Sequence, residues 1–178
     1  MSTRKLTIAS LFLAVGLILH YIMPGFLGGM KPDPFLAMMF ITILICGDYK
    51  TTLAVGLASG ILTALTTTMP GGQIPNIIDK IITAQVVFFI LKTFNTLEEK
   101  AKGNSLIKQV KMVVVSIVGT LVSGTIFLST AIYIMGVELP FGILFNSVVL
   151  PATVGNTVLV LFTTNVVLVA LKRSSFKI

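Results

Sequence analysis

Six stretches of the chain, residues 6–23, 34–49, 52–69, 77–95, 111–135 and 151–171, are almost wholly apolar, and short polar segments rich in Gly, Pro and charge separate them. A helix crossing a membrane needs about 20 such residues, so each run predicts a span. Residues 141–150 are apolar too, but 141–171 as one helix would be about 46 Å long at ~1.5 Å per residue, against a hydrocarbon core of about 30 Å. Pro151 suits the first turn of a helix, where its missing N–H costs nothing. The pattern therefore predicts a short lip helix over 141–150 and a sixth span from 151. The second run is the shortest and ends at Gly47, Asp48, Tyr49 and Lys50.

Composition agrees with this reading. Of 178 residues, 55% are hydrophobic and 11% charged, and mean hydropathy is +1.02. Soluble domains carry roughly 25% charged residues. An ordinary soluble enzyme, a disordered chain and a nucleic-acid module are excluded, and the expected class is an all-α integral membrane protein with one transmembrane domain, 1–178. Arg4 and Lys5 precede the first run as in a signal peptide, but the run is long and no small-residue cleavage site precedes the polar segment 28–33, so it reads as a retained span.

The net charge of +7 is a topological signal. With six spans and both termini cytoplasmic, the inner segments hold Arg4, Lys5, Lys50, Lys92, Lys100, Lys102, Lys108, Lys111, Lys172, Arg173 and Lys177, and the outer side holds Lys31 and Lys80. Eleven against two obeys the positive-inside rule. Deleting the second span would put the Lys92–Lys111 segment outside, against that rule. Bilayer lipid is thus the expected surrounding, and no nucleic-acid partner is needed to explain the charge.

Motifs of catalysis are missing from the sequence. One histidine, His20, cannot make a zinc-protease pair, and neither a Gly-x-Ser-x-Gly elbow nor a Walker-type nucleotide loop occurs. The expectation is a non-enzyme without cofactor or metal, drawing any energy from an ion gradient or another subunit. The single Cys46 cannot form an internal disulfide and reads as a small buried apolar side chain.

Polar groups gather at the outer ends of the runs: His20 and Tyr21, Lys31 and Asp33, Thr66 to Thr68, Gln73, Asn76, Asp79 and Lys80, and Asn146 and Asn156 flanking Pro151. Amides and hydroxyls inside a bundle face partner helices or wet cavities, so this clustering points to an outward cavity. Two loops, with Gly28, Gly29 and Pro32 in the first and Gly71, Gly72 and Pro75 in the third, can approach a ligand closely. Each residue also has a structural reading. Asn76 suits the N-cap of span four with Asp79 at the third helical position, Asp33 suits a cap before Pro34, and Lys80, adjacent to Asp79 and on a different helix face, suits a snorkelling interfacial lysine. His20 faces either a neighbouring helix or a substrate. Phe26, Phe35, Tyr133 and Phe141 form an interfacial belt or wall an aromatic ligand. Small-residue faces, Gly56-x-x-x-Gly60, Gly119-x-x-x-Ser123 and Ser10-x-x-x-Ala14, allow close helix approach, either inside the bundle or to a partner subunit.

The strings Ala9-Ser10-Leu11-Phe12-Leu13-Ala14, Phe26-Leu27-Gly28-Gly29-Met30-Lys31-Pro32-Asp33 and Gly72-Gln73-Ile74-Pro75-Asn76-Ile77-Ile78-Asp79-Lys80 and the ending Lys172-Arg173-Ser174-Ser175-Phe176 resemble the bacterial TrpP tryptophan-uptake proteins, which group with the S components of energy-coupling factor (ECF) transporters. The resemblance implies a six-helix S-component bundle in the bacterial plasma membrane, with an outward tryptophan pocket gated by the first and third loops. It also implies a coupling subunit with separate ATPases, docked at the small face of the first span, here Ser10 and Ala14. On that reading Lys31 meets the substrate carboxylate and Asp79 its ammonium, with Gln73, Asn76, Asn156 and His20 as further ligands. A stand-alone secondary transporter and a non-transport membrane scaffold are the competing expectations.

Overall fold

Ser2, Asp33, Asp48 and Asn104 each accept a backbone N–H from the first turn of the helix that follows, and these caps set where four of the helices start. The computed structural model describes residues 2–24, 33–101, 104–138 and 140–173, with the backbone alone at Leu171 and Lys172. The described residues form six helices and no strand. These are α1 (Thr3–Ile22), α2 (Pro34–Cys46), α3 (Tyr49–Leu65), α4 (Gln73–Lys100), α5 (Ser105–Ser129, ending in a π turn Thr130–Ile134) and α6, which starts at Phe141–Leu144. Four helical stretches, Thr3–Ile22, Gln73–Lys100, Ser105–Ile134 and Phe141–Ala170, are long and apolar enough to cross a membrane, whereas α2 and α3 are shorter.

The expected break before Pro151 is not there. From Phe141–Leu144 the helix passes through a wide π turn, Phe145–Val149, and runs on as Leu150–Arg173. Proline has no N–H to give to the fourth carbonyl behind it and its ring crowds that carbonyl; widening the preceding turn accommodates both within an unbroken helix. The 141–150 segment is therefore the first part of α6.

α2 is the centre of the bundle. Eleven of its thirteen residues are buried, and it touches α1, α3, α4, α5 and α6. A helix wrapped by protein need not match the bilayer in length, which explains why the second apolar run is the shortest. Gly47, at φ +64°, stops α2 by returning its N–H to Ile43 O at 3.0 Å. Lys5 Nζ then pins this hinge, donating to Cys46 O at 2.7 Å and to Asp48 Oδ2 at 2.8 Å.

The small-residue faces of α3 and α5 are spent inside the fold. A Cβ on Gly56 would lie 2.8 Å from Ala84 Cβ, and one on Gly60 3.0 Å from Ile77 Cα, so these glycines seat α3 on the backbone of α4. A Cβ on Gly119 would lie 2.5 Å from the Phe40 ring, which seats α5 on α2. On α1, by contrast, Ala9, Leu13, Gly16 and His20 face inward while Ser10, Leu11 and Ala14 are exposed.

The main core gathers around α2, from Phe35 to Ile43, with Val55, Ala84, Val87 and Val115. A second apolar cluster, Met69, Leu128, Ala131, Leu144, Val148 and Val149, closes the other side of the bundle's polar end. A cavity lies between the two.

Candidate functional site: a charged cavity under an apolar wall

The cavity has about 600 Å³ of space between atoms, part of it open to solvent. Its polar side is built from His20 (α1), Asp33 (the cap of α2), Asn76, Asp79 and Lys80 (α4), Thr120 and Ser123 (α5) and Asn156 (α6). Its apolar wall comes from Leu36, Met69, Phe127, Val148, Val149 and Ala152.

Lys80 is the hub. Its Nζ lies 2.7 Å from Asp33 Oδ2 and 2.6 Å from Asp79 Oδ2, and its side chain is only 2% exposed. The expectation of a snorkelling lysine unable to meet Asp79 is thus corrected. Adjacent residues leave a helix about 100° apart, but a four-carbon stem can fold back to a short neighbour, and a buried ammonium requires an anion. Asp79 Oδ1 accepts from Thr83 at 2.8 Å and Oδ2 from Ser123 at 2.8 Å. Asp79 is therefore fully engaged by three donors.

Asp33 does more than cap. Oδ1 accepts from Leu36 N at 3.2 Å and stands 3.2 Å from His20 Nδ1, while Oδ2 holds Lys80. Its side chain keeps 19% exposure, which makes it the more accessible of the two carboxylates. One ammonium thus stands between two carboxyl groups.

The capping role expected of Asn76 is also corrected. α4 starts at Gln73 with Gly72 as its cap, so Asn76 is the fourth helical residue and Asp79 the seventh. Pro75 sits within the first turn, where proline is tolerated, and so does not stop the helix. Asn76 Nδ2 instead donates back to Gly72 O at 2.7 Å. Gly72 has no room for a side chain, since a Cβ there would lie 2.6 Å from Thr67 Oγ1, and Gly71 takes φ +74°. Asn156 Nδ2 reaches Thr120 Oγ1 at 3.3 Å.

Among the expected site residues, His20, Asn76, Asp79 and Asn156 thus meet at one cavity. Gln73 is exposed and does not line it. Lys31 and the first-loop residues Gly28, Gly29 and Pro32 lie outside the described residues. Sequence reasoning passed over Ser123, Thr83 and Thr120, and gave Lys80 to the interface. The available signal was that a lysine beside an aspartate on the charge-poor side needs a partner if buried.

A bundle of long apolar helices enclosing a polar recess fits a multi-pass membrane transport protein, and comparison with known proteins agrees. The family model described as "Tryptophan transporter TrpP" matches residues 2–172. The "Probable tryptophan transport protein" of Clostridium acetobutylicum is 47% identical over 98% of this chain and 95% of its own length. That of Bacillus subtilis is 43% identical over 99% and 97%. The chain belongs to the TrpP family. No solved structure matches it.

Proposed function

We propose that the chain is the tryptophan-binding subunit of an uptake system in the bacterial plasma membrane, an S-component bundle with cytoplasmic termini energised by an ECF coupling subunit and its ATPases. The cavity carries this reading, because it sets acidic and basic groups against an apolar wall, as a zwitterion with an aromatic side chain requires. An indole buries roughly 150–250 Å², which at about 25 cal/mol per Å² is about 4–6 kcal/mol before ordering costs. Membership of the TrpP family supports the substrate. The eleven-to-two charge asymmetry supports the orientation. The exposed Ser10 and Ala14 on α1, together with a sequence lacking a nucleotide loop, support an external energy module docked on that helix.

Within the site, Asp33 takes the substrate ammonium in preference to Asp79, whose oxygens are already occupied by Lys80, Thr83 and Ser123. Lys31 takes the carboxylate, and the loops around Gly28–Pro32 and Gly71–Pro75 close over the ligand.

The chain contains no tryptophan, so the indole fluorescence of a bound ligand can be read directly on the purified protein. Saturable tryptophan binding is expected, and its absence overturns the substrate. Lys31→Ala and Asp33→Asn should each raise Kd at least about tenfold, or ~1.4 kcal/mol; unchanged affinity in both removes the pairing. Ser10→Leu should abolish uptake while leaving binding intact. Uptake that persists without the coupling proteins and collapses with an uncoupler would replace the ECF module by an ion gradient.

A further inference from the structure

Several buried side-chain polar atoms have no hydrogen-bond partner among the described residues, and of these only the ring nitrogens of His20 belong to a residue lining the cavity. His20 is 5% exposed and sits on the inward face of α1 with Ala9, Leu13 and Gly16. Its ring stands edge-on to Phe35, with centroids 6.5 Å apart at 79°. The orientation of the imidazole is therefore set by packing before any ligand arrives.

The two nitrogens are not equivalent. Nδ1 lies 3.2 Å from Asp33 Oδ1, close enough for charge contact though off hydrogen-bond alignment. A lone pair facing a carboxylate at that distance is repelled, so in the neutral ring the proton belongs on Nδ1. The partner of one nitrogen decides the state of the other. Nε2 then carries a buried lone pair that accepts and cannot donate.

Several other polar groups around the cavity already have partners. Ser123 donates to Asp79, the Asn76 amide N–H to Gly72 O, and the Asn156 amide N–H to Thr120. The Lys80 ammonium is a donor held between two carboxylates.

From this the structure assigns His20 as the residue that reads the indole N–H, through Nε2, with Asp33 holding the tautomer. The inference rests on the tryptophan-binding reading above and deepens it. A buried acceptor built to receive an N–H rejects an isostere lacking it, because the acceptor is then left unpaired. The site would thereby separate tryptophan from aromatic amino acids of similar bulk that have no ring donor.

The test pairs a ligand change with a residue change. Binding of tryptophan and of its benzothiophene analogue, in which sulfur replaces the indole N–H, is measured on the wild-type chain, on His20→Phe and on His20→Gln. The wild type is expected to prefer tryptophan at least about tenfold. His20→Phe should bring the ratio close to one by weakening tryptophan alone, and His20→Gln, which keeps an acceptor oxygen, should restore part of the preference. A merely structural role would weaken both ligands together and leave the ratio standing. A wild type that binds both equally, or a preference that survives in His20→Phe, overturns the assignment while tryptophan binding itself remains intact. A wild type that binds neither ligand overturns the parent reading instead. If His20→Phe does not fold, His20→Leu takes its place as the variant without an acceptor: a ratio close to one supports the assignment, and a ratio equal to that of the wild type overturns it.

Discussion

Lys80 Nζ stands 2.7 Å from Asp33 Oδ2, an ion pair that ties the third turn of α4 to the cap of α2 and sets the floor of the cavity. The same ammonium holds Asp79, so one cation balances two buried acids from different parts of the chain.

Removing that cation strands two carboxylates. Breaking a buried pair by deleting one partner costs about 3–5 kcal/mol, and Lys80→Met should lower thermal stability in detergent accordingly. Lys80→Met combined with Asp33→Asn should recover part of the loss. A single variant as stable as the wild type would mean that the pair adds nothing to the fold.

Ser123 is a quieter support. Its hydroxyl donates to Asp79 Oδ2 at 2.8 Å from another helix. Ser123→Ala leaves a buried charged acceptor with one donor fewer and should cost about 1–3 kcal/mol, read as a shift in denaturation midpoint, with Ser123→Thr closer to wild type.

The glycine contacts make a sharper steric forecast. A Cβ at Gly119 falls 2.5 Å from the buried Phe40 ring, and overpacking of this kind costs about 1–3 kcal/mol. Gly119→Ala should destabilise, and Phe40→Leu in the same chain should relieve it. At Gly60 the obstacle is the Ile77 backbone itself, so Gly60→Ala should have no comparable side-chain remedy.

At the opposite end, Asp48 sits outside the helices, in the hinge between α2 and α3. Burial pushes its carboxyl up, but the hydrogen bonds from Lys5 and Thr51 outweigh this and pull it down to about 2. A carboxylate held more acidic in the folded state than in the unfolded one stabilises above its ordinary value of 3.8. That stabilisation is lost as pH falls through about 2. Asp48→Asn should therefore be less stable than wild type near neutral pH, and the gap between their unfolding curves should close in strong acid. A gap independent of pH would assign the effect to something other than this charge.

Much of the architecture was legible in hydropathy alone, because hydrocarbon tolerates few alternatives to an apolar helix. The boundaries were less so. Span four was drawn from 77 to 95, whereas α4 runs from Gln73 to Lys100; the apolar run marks what lipid requires, and a helix continues beyond it wherever its backbone bonds stay satisfied. Pro75 reads from the sequence as a loop residue and Pro151 as a helix start, yet the one lies within the first turn of α4 and the other follows a widened turn inside α6. At the site, residue type revealed that His20, Asn76, Asp79 and Asn156 were candidates, but not which of their atoms were already committed. The Asp79–Thr83–Ser123 arrangement depends on α5 approaching α4, a contact with no local signature.

The brevity of α2 has one more result. Thirteen residues rise only about 20 Å, while the surrounding helices α4, α5 and α6 are each more than twice that long. A peg shorter than its socket leaves a well above its tip, and Asp33 and Leu36, at the start of α2, both line the recess. The hollow is thus bounded below by the starting point of the central helix, so its depth is written in the number of residues between Asp33 and Gly47.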